Sequence, residues 1–107
     1  MKSKVSLLPN AKKDMLDIFH YLSENDSIRN AEYVIDNIEN QYKKLAELPS
    51  RGHIPIELQK YGILEYREVR FKPYRIIYQI VGKVVHIHCV LDSRRDLQEL
   101  LERRLLR

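Results

Sequence analysis

Glu65-Tyr66-Arg67-Glu68-Val69-Arg70-Phe71, then Tyr74-Arg75-Ile76-Ile77-Tyr78-Gln79-Ile80-Val81, then Lys83-Val84-Val85-His86-Ile87-His88-Cys89-Val90-Leu91 are three runs rich in Val, Ile and Tyr. Such side chains suit a pleated, half-buried surface, so each run reads as a strand. Only Lys72-Pro73 and Gly82 separate them. A parallel crossover needs a dozen or more residues, so these neighbours pair antiparallel, as a meander. In the third run Val85, Ile87, Cys89 and Leu91 read as one unbroken apolar face, with Val84, His86, His88 and Val90 on the other.

Upstream, Lys4-Val5-Ser6-Leu7-Leu8 reads as a short strand stopped by Pro9, which has no N–H to extend a ladder. From Asn10, a candidate N-cap, the period lengthens: Ala11, Met15, Ile18, Phe19 and Leu22 recur at helical spacing. After a polar turn capped by Asp26 or Ser27, a second stripe runs through Ala31, Val34, Ile35, Ile38, Tyr42, Leu45 and Leu48 to Pro49. Asn10 to Leu48 is therefore a helical hairpin. Pro49 to Gly62 is a loop. Beyond the strands, with Ser93 as candidate cap, Leu97, Leu100, Leu101, Leu105 and Leu106 repeat at helical spacing. The fold class is α+β in one domain spanning residues 1–107: N-terminal strand, two-helix hairpin, three-stranded antiparallel meander, C-terminal helix. The expected assembly is a four-stranded antiparallel sheet with the helices on one face.

Composition narrows the function. No apolar stretch approaches the roughly 20 residues of a membrane-spanning helix. The four-residue apolar stretch near the N-terminus, interrupted by Ser6, is too short for a signal-peptide core. One cysteine, Cys89, supplies neither an internal disulfide nor a zinc cluster, which fits a reducing cytoplasm. Residues 1–50 carry seven Lys/Arg against eight Asp/Glu, whereas residues 51–107 carry twelve against seven, so the second half is +5. A basic half implies an anionic partner, nucleic acid or an acidic protein segment.

Glu65-Tyr66-Arg67-Glu68-Val69 followed by Lys72-Pro73-Tyr74-Arg75-Ile76-Ile77-Tyr78-Gln79-Ile80 resembles the sheet signature of RelE/ParE-type toxins. The pattern Ala11, Asp14, Ile18, the break at Pro49 to Gly52, and Arg94-Arg95-Asp96 after the last strand fall in the order of that superfamily. The resemblance covers essentially the whole chain. It implies a cytoplasmic toxin of a type II toxin–antitoxin pair, held by a cognate antitoxin in a hetero-oligomer, with no cofactor and no metal.

Within that resemblance three readings compete. RelE-like members cleave messenger RNA on the ribosome, a reaction needing a base, cations on the phosphate and an acid. Here Arg75 would contact the scissile phosphate, Arg67 would be a second phosphate ligand, Glu57 the base, and His88 or His86 the acid. Against this, Asp92 and Ser93 stand where such members place a His or Tyr. ParE-like members poison DNA gyrase by protein contact, need no such acid, and carry a long helical hairpin, so this reading leads. The third reading is an inactive toxin-like binding module.

The plainer assignments are cross-strand pairing of Arg67 and Arg75 with Glu65 or Glu68, sheet packing for Tyr66, Tyr74 and Tyr78, surface positions for His86 and His88, and burial for Cys89. Arg94, Arg95, Arg103, Arg104 and Arg107 are either a solvated basic face or the docking edge for an acidic antitoxin segment.

Overall fold

The computed structural model describes residues 2–95 and 97–105. Asp96 of the Arg94-Arg95-Asp96 pattern, Leu106 and Arg107 lie outside the described residues, as does the side chain of Leu97. The order is β1 (Lys4–Leu7), α1 (Pro9–Asn25), α2 (Ile28–Lys43), two 3₁₀ turns (Lys44–Ala46 and Pro49–Arg51), α3 (Ile56–Gln59), β2 (Tyr66–Phe71), β3 (Tyr74–Val81), β4 (Val84–Asp92) and α4 (Leu97–Leu105). Helix α1 begins one residue before the expected cap: Pro9 takes the first turn, where its missing N–H is no loss, and Leu8 is the N-cap. Ser27 caps α2 by accepting the Asn30 N–H at 3.0 Å.

The sheet runs β1-β4-β3-β2. The meander is antiparallel as its short turns require. The N-terminal strand is not: β1 lies parallel to β4, Lys4 opposite Val84 and Leu7 opposite Ile87. The whole sheet is therefore mixed. The long connection through the helical hairpin gives β1 the length a parallel crossover needs, so nothing local forces its direction.

The expectation of helices on one face is also corrected. The hairpin covers one face, burying Ala11, Met15, Val34, Ile38 and Tyr42 against Val69, Ile76, Tyr78, Val85, Ile87 and Val90. The other face carries a second cluster, in which Leu100 and Leu101 of α4 and Leu58 of α3 cover Tyr66, Ile77, Cys89 and Leu91. Strand β4 serves both because its apolar face is broken: the register shifts between Ile77, opposite Cys89, and Tyr78, opposite Ile87, leaving His88 as the extra residue. Val85, Ile87 and Val90 thus face the hairpin, while Cys89 and Leu91 face α4. Cys89 is fully buried, as expected, and burial pushes its thiol up to about 12.

Candidate functional site

Arg75 sits on the α4 side of β3 and is 3% exposed. Its guanidinium is closed in by two carboxylates. One edge donates to Glu68, Nη2 reaching Oε2 at 2.7 Å and Nε reaching Oε1; the other donates to Glu57, with Nη1 to Oε2 at 2.7 Å and Nη2 to Oε1 at 2.8 Å. Paired forks of this kind are among the strongest polar contacts a protein makes. Burial works against the guanidinium charge, but the bonds to Glu57 and Glu68 hold its pKa above the ordinary value. The same bond from Arg75 holds the Glu57 carboxyl below its usual range. Glu68, 1% exposed, also meets His53 Nε2 at 3.1 Å and Arg70 Nε at 3.4 Å. The cross-strand pairing of Arg75 with Glu68 is therefore the one observed, with Glu57 added from α3.

The other members of the expected catalytic set are elsewhere. Arg67 alternates to the hairpin side of β2 and donates to the Gly52 carbonyl at 2.9 Å, fastening the loop after Pro49. His88 lies at the bulge, half-buried, 3.2 Å from Gln79 Oε1 and edge-on to Tyr66. Burial, with His86 nearby, holds its pKa below the ordinary imidazole value. Of Arg75, Arg67, Glu57 and His88, only Arg75 and Glu57 meet, and each occupies the other's charge. Among the described residues no group of three or more His, Cys, Asp or Glu is placed to hold a metal ion.

The basic end of the chain divides similarly. Arg94 folds back on Asp92, Nε to Oδ1 at 2.9 Å and Nη2 to Oδ2 at 2.6 Å, and this bond holds the Asp92 carboxyl below its usual range. Arg104 crosses to α1 and pairs with Asp14 at 2.7 Å, an oxygen that also accepts the Val90 N–H at 2.9 Å. Asp14 thus ties α1, β4 and α4 together. Arg95 and Arg103 have no ion-pair partner among the described residues and line a groove between α1 and the chain end. It consists of two hollows of about 470 and 410 Å³ that share Asp17 and Arg95, with Tyr21 at one end and Lys13 and Leu100 at the other.

Sequence reasoning named Glu68 as a partner of Arg75 but missed Asp14 and Gly52 as organising residues. The Tyr78 hydroxyl donates to the Pro49 carbonyl at 2.6 Å and accepts the Gly52 N–H at 3.0 Å. A Cβ on Gly52 would lie 2.5 Å from the Glu68 carbonyl oxygen and 2.6 Å from that hydroxyl. Only the placement of Gly52 in a Pro-to-Gly break hinted at this.

Residues 5–97 match the family described as ParE toxin of type II toxin-antitoxin system, parDE. The chain belongs to that ParE toxin family. Toxin ParE3 of Caulobacter vibrioides is 27% identical over 84 residues, covering 78% of this chain and 80% of that protein. Among solved structures, the chromosomal ParDE toxin–antitoxin system of P. aeruginosa superposes with a TM-score of 0.71 at 15% identity, over 85% of this chain and 96% of that one. A free-state mutant of E. coli toxin RelE gives a TM-score of 0.67 at 13% identity, covering 99% and 97% of the two chains. The toxin–antitoxin complex RelBE2 of Mycobacterium tuberculosis gives 0.63 at 16%, over 86% and 99%. These likenesses establish a fold shared by both branches of the superfamily.

Proposed function

We propose that this ParE-family toxin acts by protein contact on DNA gyrase and is neutralised by a cognate antitoxin whose acidic segment lies along the groove between α1 and α4. One observation carries the first half. The strand arginine on which phosphate chemistry would depend is 3% exposed and bonded on both edges to Glu57 and Glu68. To reach a phosphate it would abandon two carboxylates, one of them fully buried, and uncompensated buried charge costs several kcal/mol. Glu57, held as an anion by the same bond, is a weak base. The end of β4 adds no acid: Asp92 is ionised and paired.

The neutralisation half is supported by charge and shape. The groove's Asp14, Asp17 and Asp92 are each paired with Arg104, Lys13 and Arg94 of its own lining, which leaves Arg95 and Arg103 as its unmatched charges, with Tyr21 and Leu100 as apolar surface, a combination that suits an amphipathic acidic segment ordering as it binds. No helix among the described residues is long and apolar enough to cross a membrane, and we place the encounter with gyrase in the cytoplasm.

The test uses purified toxin in two assays, gyrase supercoiling with detection of cleavage complexes, and primer extension on messenger RNA in a translating extract. The expected result is inhibited supercoiling with unbroken message. Codon-phased cuts that disappear in Arg75→Ala would establish the ribonuclease reading instead.

A further inference from the structure

The outer side of β2 gathers cations that the chain's own carboxylates do not match. A hollow of about 630 Å³ at this edge is lined by His53, Ile54, Gln59, Arg67 and Arg70, with Glu68 as the one carboxylate among its described residues. That carboxylate is already engaged: Arg75 and Arg70 together balance Glu57 and Glu68. Arg67, Arg51 and Lys60 are then in excess. Arg67 donates Nη1 to the Gly52 carbonyl at 2.9 Å, a neutral acceptor, so its guanidinium is held in place with its charge intact. Burial raises the pKa of the Tyr78 phenol, while the Gly52 N–H and the charges of Arg67 and Arg51 pull it down, so both guanidinium groups lie within electrostatic reach of one hydroxyl. Arg51 is exposed, as is Lys60, which follows Gln59 of the lining and stands over the Tyr61 ring at 5.4 Å; neither has an ion-pair partner among the described residues.

We propose that this side of β2 receives the phosphodiester backbone of duplex DNA, with Arg51, Arg67, Arg70 and Lys60 as its contacts. Three features select that partner. Glu68 and His53 exchange N–H to carbonyl bonds at 2.7 and 3.1 Å, which closes the main-chain edge at this point, so an extended peptide has no place to add there as a strand. No tyrosine or phenylalanine ring lines the hollow among the described residues, whereas unpaired bases are held by stacking on such rings. What remains is a set of side-chain donors spaced along the edge. Arg67 and Arg70 rise from opposite faces of β2, roughly 10 Å apart along the strand, about the rise of three successive phosphates on one strand of a duplex. Contacts of this kind position a protein on DNA without reading its sequence. The inference deepens the proposed action on gyrase and rests on that reading only for the source of the duplex, the DNA that gyrase holds. It concerns binding alone, since Arg75 stays closed between Glu57 and Glu68.

The experiment titrates a short fluorescent duplex with purified toxin and follows anisotropy at several salt concentrations. Saturable binding with a Kd of roughly 10⁻⁴–10⁻⁶ M, alike for two unrelated sequences, is the expected result. The slope of log K against log salt should be about −3 to −4, at about −0.9 per phosphate contact. Arg51→Gln with Lys60→Gln, both at exposed positions, should make that slope shallower by about two and weaken binding to both sequences equally. Lys4→Gln with Lys83→Gln removes the same charge from β1 and the β3–β4 turn, away from β2, and should leave the slope as it was. Equal losses in the two pairs would overturn the assigned surface, because the duplex would then be answering to net charge. Tighter binding of single-stranded RNA, or of polyglutamate, would overturn the choice of partner. A toxin that inhibits supercoiling yet binds no duplex would end the proposal and leave the gyrase reading standing. One that binds the duplex through Arg51 and Lys60 yet leaves supercoiling untouched would keep the contact and end that reading.

Discussion

Arg75 shows how much one side chain's partners decide. Arg75→Ala would strip Glu68 of its main counter-charge in a site 1% exposed, an uncompensated buried ion that costs about 3–5 kcal/mol. Urea denaturation should show this, and should also show that Arg75→Met combined with Glu57→Gln and Glu68→Gln costs less than the single change. Gly52→Ala forces a Cβ against the Glu68 carbonyl and the Tyr78 hydroxyl and should lose about 1–3 kcal/mol on the same measurement. Titration adds a third prediction. Burial lowers the His88 pKa, and the Arg75 bond lowers that of Glu57, relative to the unfolded chain. A depressed folded pKa means that stability is complete above the unfolded value and is lost as pH falls through the folded one. The melting temperature should therefore begin to fall below the ordinary imidazole value of 6.5 and fall again below the glutamate value of 4.5, with His88→Gln removing the first step. A melting temperature flat from neutrality to pH 5 in the parent protein would contradict the His88 assignment.

At the level of elements, what the sequence made legible was whatever depends on short spacing. The meander followed from the brevity of the Lys72-Pro73 and Gly82 turns, and the hairpin from stripes of which Ala11, Met15, Ala31, Val34, Ile38 and Tyr42 are buried in α1 and α2, while Leu45 falls in the following 3₁₀ turn and Leu48 is exposed. What depends on distant pairing was not legible. The direction of β1 is set by the path of the whole hairpin, and the face that α4 covers is set by an extra residue at His88, which no alternation of Val, Ile and His announces. Asp14 explains why the candidate site was only half read: its role depends on Arg104, ninety residues away, and on the Val90 N–H beyond the end of β1. This junction makes a measurable claim. Asp14→Ala and Arg104→Ala, both at partly buried positions, should each destabilise the protein, and a double-mutant cycle should return a coupling of about 1 kcal/mol. Leu101→Ala, at the centre of the α4 contact, should cost about 2–5 kcal/mol and preferentially expose the amides around Cys89 to exchange.

Across the molecule, charge that looked like one basic half is sorted into engaged and free cations. Arg75, Arg94 and Arg104 are bonded to carboxylates of the same chain, whereas Arg95 and Arg103 are free among the described residues. Net charge in the second half therefore overstates what a partner meets, and antitoxin docking should depend on a few arginines. Charge reversal at Arg95 and Arg103 should reduce the association rate with the antitoxin and flatten its dependence on ionic strength, because exposed cations steer encounter across a Debye length of about 8 Å at physiological salt. The same reversal at Arg94 should act more weakly, since Asp92 already offsets it. Stopped-flow association at two or more salt concentrations separates these cases. If all three reversals slowed binding equally, the partner would be responding to total charge, and the groove between α1 and α4 would lose its claim as the docking surface.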